Sequence, residues 1–170
     1  TIPTDKRLEL KDIKENHTVN ITYAIDSNGD DVPDKYQKKV TFIVVNGTWS
    51  DNTTTKDVYV TLLDAAGKWS EDGTGTLTAP TGMKAATGYN GGSWAPTLPE
   101  KVTKDSDDTY TYTFSNDTRK VTVTNVGSGH TDKDGENTVN YGDSLTITIS
   151  PDANYCIDKI TLDNVEQTIP

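Results

Sequence analysis

The sequence predicts a mainly β protein, α+β at most, that is divided into small modules. Apolar and polar residues alternate in several short runs, which is the period of a half-buried strand. The chain of 170 residues contains 29 threonines, eight tyrosines and three tryptophans, and these residue types favour pleated surfaces. Only 33 residues are Leu, Ile, Val or Phe, which is too few for one large core but enough for several small sheets.

The strand-forming runs follow one another along the whole chain. In residues 109–114, Tyr110, Tyr112 and Phe114 share one face and threonines occupy the other. Residues 40–46 are apolar on both faces, as is typical of a central strand. The other predicted strands are residues 19–25, 57–63, 120–126, 144–150 and 158–165.

Turn residues and polar connectors separate these runs. The predicted turns are Asn46-Gly47, Asp72-Gly73, Asn90-Gly91-Gly92 and Asp134-Gly135. Residues 77–86 have a weak helical pattern that Pro80 and Gly82 interrupt, so a short helix or turn is the most they predict. The connectors divide the chain into three units, residues 1–37, 38–115 and 116–170.

Charge and residue counts exclude several classes of function. The net charge is -10, so binding to nucleic acid is not expected. No apolar stretch approaches the ~20 residues of a membrane span. The start at Thr1, without a basic and apolar leader, predicts a fragment or a processed form. A lone Cys156 excludes an intrachain disulfide, and two histidines leave little material for acid–base catalysis, so we expect no enzyme.

An Asp-rich loop, residues 26–37, is the most chemically specific segment. Oxygen-bearing side chains occupy its positions one, three, five and nine, and position seven offers a backbone carbonyl. These ligands are Asp26, Asn28, Asp30, Val32 and Asp34. Ca²⁺ takes six to eight such oxygens, so the loop predicts a weak structural calcium site with a Kd of about 10⁻⁴ to 10⁻³ M.

The loop departs from an EF-hand, and a second interpretation stays open. Position twelve is Gln37 rather than a bidentate Glu, and the run before the loop predicts a strand rather than a helix. The alternative is an acidic, solvated turn between two modules. Asp132, Asp134 and Glu136 repeat the spacing more loosely.

Aromatic residues offer a candidate platform for sugar rings. Tyr89 and Trp94 suit the core of a small β module, where aromatic rings supply most of the burial, and Trp49 is a further candidate. Trp69 lies in the polar loop Gly-Lys-Trp-Ser-Glu-Asp-Gly, and we expect it to be the exposed ligand-binding aromatic.

The loop and the middle unit resemble parts of Gram-positive bacterial surface proteins. The loop is similar to the D-x-N-x-D-x-x-P-D-x-Y-Q junction between modules of such proteins. The middle unit resembles the Listeria–Bacteroides, or internalin-type B, repeat family. The matching elements are Val40-Thr41-Phe42, Asn46-Gly47, Gly88-Tyr89 with Trp94, and residues 110–114. The resemblance implies a β-grasp-like fold and a place in extracellular adhesins.

The third unit is similar to a second bacterial surface repeat with a V-x-YGDS-x-T-x-x-I-x-P-D-x-x-Y pattern. The match is carried by Val139, residues 141–144, Ile149, Pro151-Asp152 and Tyr155. Such repeats usually close with a strand like HTVNITY, which is found here at residues 17–23. The simplest interpretation is the tail of a preceding repeat in a tandem array. The alternative is that the N-terminal strand of one chain completes the third unit of another.

These observations predict a non-catalytic stalk or adhesin segment of a secreted or cell-wall-attached bacterial protein, monomeric within its tandem array. Calcium would stiffen the junction between modules. Host glycans or host proteins are the expected partners. The alternative function is a carbohydrate- or host-protein-binding module attached to a secreted enzyme.

Overall fold

The computed structural model describes residues 7–168 and is almost entirely β. The mainly β prediction is therefore confirmed. A 3₁₀ turn, Asp34–Tyr36, precedes the first strand. The strands are β1 Gln37–Val45, β2 Gly47–Trp49, β3 Thr55–Thr61, β4 Gly75–Thr76, β5 Met83–Ala85, β6 Tyr89–Ala95, β7 Lys101–Val102, β8 Thr109–Asn116, β9 Thr118–Val123, β10 Gly129–Thr131, β11 Gly135–Asn140, β12 Ile149–Pro151, β13 Ile160–Leu162 and β14 Val165–Gln167.

One mixed sheet organises the middle of the chain, with the strand order β3-β1-β8-β6. The two central strands, β1 and β8, are parallel, with Thr41 opposite Thr109 and Val45 opposite Thr113. The outer strands β3 and β6 pair antiparallel to them. Because the central strands run the same way, the chain joins this sheet at its Gln37 end and leaves it at its Asn116 end.

The buried apolar side chains all lie between residues 40 and 114. They come from alternate positions of β1, β3 and β8 and from the segments that cover one face of the sheet. The nine residues are Val40, Phe42, Val44, Trp49, Val60, Leu62, Val102, Tyr110 and Phe114. The predicted face of β8 is confirmed, since Tyr110 and Phe114 are buried in the core.

Five two-stranded ladders complete the described part of the chain. Two of them, β2 with β5 and β4 with β7, lie within the middle unit. The other three, β9 with β11, β10 with β12 and β13 with β14, lie in residues 116–168. No side chain of residues 116–168 is buried, so this part of the fold has ladders without a closed core.

Several predictions of local structure are wrong. Residues 19–25 form no strand, residues 144–148 are irregular up to the start of β12, and residues 77–86 contain strand β5 rather than a helix. Residues 158–165, predicted as one strand, contain β13, a turn and the start of β14. Residues 19–25 alternate correctly, but a strand also needs a neighbour to accept its backbone hydrogen bonds. That neighbour is absent within the described residues.

The glycines predicted to form a turn instead form a bulge inside β6. The register of β6 against β8 shifts between Asn90 and Ser93, with Gly91 at φ 46° and Gly92 at φ 138°. An extra residue in one strand bends it and increases its twist. Gly-Gly between Asn90 and Ser93 therefore shapes a strand rather than ending one.

Within residues 7–168, no helix has the length and apolarity to cross a membrane.

Candidate functional site

The Asp-rich loop is anchored at the Gln37 end of the central sheet. Its base is closed by the Asp34 N–H, which donates to the Ile25 carbonyl at 2.8 Å. The Lys104 Nζ donates to the carbonyls of Asp34 at 3.0 Å and of Gln37 at 2.6 Å. The loop is therefore fastened to the middle unit by backbone and ammonium hydrogen bonds.

A buried ammonium group lies beside this anchor. Lys38 is 7% exposed, and its Nζ donates to the Lys104 carbonyl at 2.9 Å and to the Asp108 carboxylate. A buried charge is tolerated when it is paired and hydrogen-bonded. The pair ties the segment before β8 to the start of β1, and sequence patterns did not indicate it because the partners are 70 residues apart.

Asp26 and Asp30 organise the turn of the loop. Asp26 Oδ1 accepts the N–H of Gly29 at 2.8 Å, and its Oδ2 accepts the N–H of Asp31 at 3.0 Å. Asp30 Oδ1 accepts the Val32 N–H at 2.9 Å. These are Asx-type bonds, which hold a turn through a side chain and its own neighbouring backbone.

The second oxygen of Asp30 faces two side-chain amides. Asp30 Oδ2 accepts from Gln37 Nε2 at 2.5 Å and from Asn28 Nδ2 at 3.1 Å. The Val32 N–H, followed by these amides, holds the pKa of Asp30 below its ordinary value. Gln37 is 4% exposed, so the residue at loop position twelve is a buried partner of Asp30.

Asp34 is held on the opposite side of the loop by Ser27. Its Oδ2 accepts the Ser27 hydroxyl at 2.6 Å and its Oδ1 accepts the Ser27 N–H at 2.9 Å. The Ser27 hydroxyl and N–H lower the pKa of Asp34, while the charge of Asp30 raises it. Two ionised carboxylates thus repel each other across the loop at neutral pH.

The oxygens predicted to bind a cation therefore take part in hydrogen bonds within the loop. Among residues 7–168, no three His, Cys, Asp or Glu side chains are grouped to hold a metal ion. A carboxylate offers about four lone-pair sites, so a bond from one N–H leaves further acceptor positions on each oxygen. The loop therefore supplies hard oxygen ligands of the kind that a divalent cation binds. It also holds carboxylates whose mutual repulsion such a cation would reduce.

The looser acidic set in the third unit does not converge. Asp132 Oδ1 accepts the Thr148 N–H at 2.7 Å, whereas Glu136 forms an ion pair with Lys120 at 2.7 Å. Each of these two side chains contacts a residue on or beside the partner strand of its own ladder, so the two do not face a common point.

Trp69 lies at the same end of the sheet as the Asp-rich loop and is 38% exposed. Its ring lies beside that of Tyr36, with centroids 6.0 Å apart and planes inclined by 31°. The Lys35 Nζ lies 4.6 Å from the centre of the Tyr36 ring and 3.7 Å from the Glu71 carboxylate. Two partly exposed rings flanked by a cation and an anion can contact a sugar face and its hydroxyls.

The other tryptophans do not belong to this surface. Trp49 is fully buried, and Trp94 packs edge-on against Phe42 with centroids 5.4 Å apart. Tyr89 also packs against the core. The four-residue aromatic platform is therefore reduced to Trp69 with Tyr36, a partner that sequence patterns did not indicate because it comes from a different loop.

A polar joint connects the central sheet to the third unit. Asp117 accepts Asn90 Nδ2 at 2.8 Å and pairs with Arg119 at 2.6 Å, and its N–H donates to the Gly88 carbonyl at 2.8 Å. The Tyr141 N–H donates to the Asp117 carbonyl at 2.8 Å. A cavity of about 290 Å³ at this joint is lined by Thr87, Gly88, Tyr89, Asn116, Asn140, Tyr141 and Asp143.

Comparison with protein-family models, with curated proteins and with solved structures finds no match to this chain.

Proposed function

We propose that this chain is a non-catalytic spacer in an extracellular bacterial protein, secreted or attached to the cell wall, that holds other domains away from the surface. The resemblance of the middle unit to internalin-type B repeats supports the bacterial setting. That resemblance implies a β-grasp-like unit, and the mixed sheet with its first and last strands parallel at the centre agrees with it.

The proposal rests on the distance between the two points at which the chain enters and leaves the central sheet. The chain meets the central sheet at Gln37 and leaves it at Asn116, and β1 between these ends is nine residues long. At about 3.3 Å per residue, the sheet places the two connections about 30 Å apart. A unit whose two connections lie at opposite ends of its sheet adds length to a tandem array. A unit whose connections lie close together does not.

We also propose that Ca²⁺ binds the Asp-rich loop and stiffens the junction, through Asp26, Asn28, Asp30, Asp34 and the carbonyl of Val32. In 10 mM Ca²⁺, a Kd of about 10⁻⁴ to 10⁻³ M would stabilise the fold by about 1.4–2.7 kcal/mol. Thermal melts of the full chain should therefore show a Tm higher by a few degrees in Ca²⁺ than in chelator.

The variant that carries both Asp26→Ala and Asp30→Ala should lose this calcium-dependent rise in Tm. Asp64→Ala is the matched control, because Asp64 accepts the N–H groups of Ala66 and Lys68 in a separate loop. The control should be less stable and still respond to Ca²⁺. Equal melting temperatures of the wild type in Ca²⁺ and in chelator would show that the loop is an acidic turn.

The exposed Tyr36–Trp69 pair favours a second candidate function, a carbohydrate- or host-protein-binding module. Titration of the full chain with a broad panel of glycans and host proteins, followed by tryptophan fluorescence, separates the two functions. For a spacer we expect no saturable response.

Saturable binding that calorimetry detects in the wild type and that disappears in Trp69→Ala would instead establish the binding module, since calorimetry does not depend on Trp69 as the fluorophore. Stacking on an aromatic side chain contributes about 1–3 kcal/mol per ring in related recognition of planar groups, so the loss of affinity should exceed about fivefold. Tyr59→Ala is the matched control, since Tyr59 is 40% exposed on β3 and lies outside the Tyr36–Trp69 pair.

A further inference from the structure

Residues 17–25 have the pattern of a strand and pair with no strand of residues 7–168. Their alternate apolar side chains are all exposed, at 47% for Val19, 69% for Ile21, 88% for Tyr23 and 74% for Ile25. The stretch contains no Asp, Glu, Lys or Arg. An uncharged, alternating segment that pairs with no neighbouring strand is a template for pairing with another strand.

The third unit contains a two-stranded hairpin whose apolar side chains are exposed. Its hairpin β13–β14 places Leu162 directly opposite Val165, and these side chains are 60% and 64% exposed. A two-stranded hairpin is marginally stable in water, and three or more strands with an apolar face are needed for independent stability. Among residues 7–168, no third strand pairs with this hairpin, and its apolar side chains are exposed.

The segment of the same chain is badly placed to supply that strand. Ile25 is bonded to Asp34 at the Gln37 end of the central sheet, whereas the third unit follows Asn116 at the other end. Nine extended residues span about 30 Å, which is about the length of the sheet itself. If residues 17–25 folded back along the sheet of their own chain, only the first residue of the segment would reach the Asn116 end.

We propose that residues 17–25 of one copy add as a third strand to the β13–β14 hairpin of a second copy, so that copies join head to tail. Main-chain hydrogen bonds along the hairpin edge would hold the strand, and Ile21 and Tyr23 would extend the apolar face that Leu162 and Val165 form. The donor and acceptor surfaces differ, so a pair of copies keeps one free donor and one free acceptor, and further copies can add at either end.

Sedimentation of the full chain at increasing concentration, up to about 1 mM, tests the contact. The average mass should rise past that of a dimer, and an excess of a synthetic peptide of residues 16–26 should return it to the monomer. A wild type that stays monomeric throughout, or a peptide without effect on the assembled chain, would overturn the proposal.

Two single variants test the direction of the contact. Ile21→Asp removes the donor and Leu162→Asp removes the acceptor, and both positions are exposed, so each variant should fold and sediment as a monomer. An equal mixture should form a dimer and nothing larger, because only one donor and one acceptor remain. Ile13→Asp, at a position that is 59% exposed outside the pairing segment, should assemble like the wild type.

The remaining outcomes contradict the proposal. A mixture that stays monomeric would exclude head-to-tail pairing through these two surfaces. Single variants that still assemble would show that the copies associate elsewhere. A loss of stability in Ile21→Asp without any change in mass would show that the segment closes on its own chain.

Discussion

Trp49→Ala is expected to destabilise the middle unit by about 3–5 kcal/mol, which is most of the stability of a small domain. Trp49 is fully buried and belongs to the same cluster as Phe42 and Tyr110. Removal of the indole leaves a cavity that the paired strands on both sides cannot fill. Urea denaturation followed by circular dichroism should show a midpoint far below that of the wild type, or a chain unfolded without urea.

Trp69→Ala is the control for the loss of a tryptophan as such. Trp69 keeps 38% of its surface in solvent, and its deletion removes mainly the contact with Tyr36. The midpoint should shift by a small fraction of the change in Trp49→Ala. If the two variants were equally unstable, the buried cluster around Trp49 would not be the centre of the fold.

Gly92→Ala is expected to have an effect of similar size for a different reason. Gly92 has φ 138°, and a Cβ at this position would lie 2.4 Å from the Thr113 carbonyl oxygen and 2.9 Å from the Tyr112 ring. Backbone strain of about 1–3 kcal/mol adds to a steric cost of about 1–3 kcal/mol. The strand β6 should detach from β8, and the amide protons of that edge should exchange with solvent faster than in the wild type.

Gly91→Ala is the adjacent control. Gly91 also has a positive φ, 46°, but a Cβ there would meet no atom within 4 Å. The free energy of unfolding of Gly91→Ala should fall by only about 1 kcal/mol, which is the cost of an alanine in the left-handed conformation. Equal losses at the two glycines would mean that conformation alone, and not the approach of Thr113, makes the bulge depend on glycine.

The apolar runs of the middle unit were sufficient to predict three of its eight strands, β1, β3 and β8. In β8 the period of two places Tyr110 and Phe114 in the core, and β1 is central, as its apolar character indicated. These patterns work because local alternation and burial on one face are the same physical fact. The parallel pairing of β1 with β8 depends on contacts between residues 68 positions apart, so it could not be deduced from either run.

The failures share one cause. Residues 19–25 alternate as well as β8 does, but alternation specifies only which side chains share a face and not which strand accepts the backbone hydrogen bonds. The Asn90-Gly91-Gly92 sequence suits a turn and a bulge equally, and only the neighbouring strand decides between them.

The candidate site was predictable only in part. The oxygen spacing of the Asp-rich loop indicated its candidate ligands, Asp26 and Asp30 among them. It did not indicate that Gln37 would be buried against Asp30, that Lys104 would fasten the loop, or that Tyr36 would lie beside Trp69. The Lys104 and Trp69 contacts join distant parts of the chain, and the Gln37–Asp30 bond depends on how the loop folds back on itself, so single-sequence periodicity indicates none of them.

The parallel pairing of β1 and β8 also determines how the middle unit responds to tension. A force that pulls the chain at Gln37 and at Asn116 slides these two strands past each other in opposite directions along their length. The five residue pairs from Thr41–Thr109 to Val45–Thr113 then bear the load together, because their hydrogen bonds are evenly spaced and lie across the direction of pulling. A hairpin pulled from its open end breaks one pair at a time, whereas this unit must lose all five pairs in a single step before it lengthens.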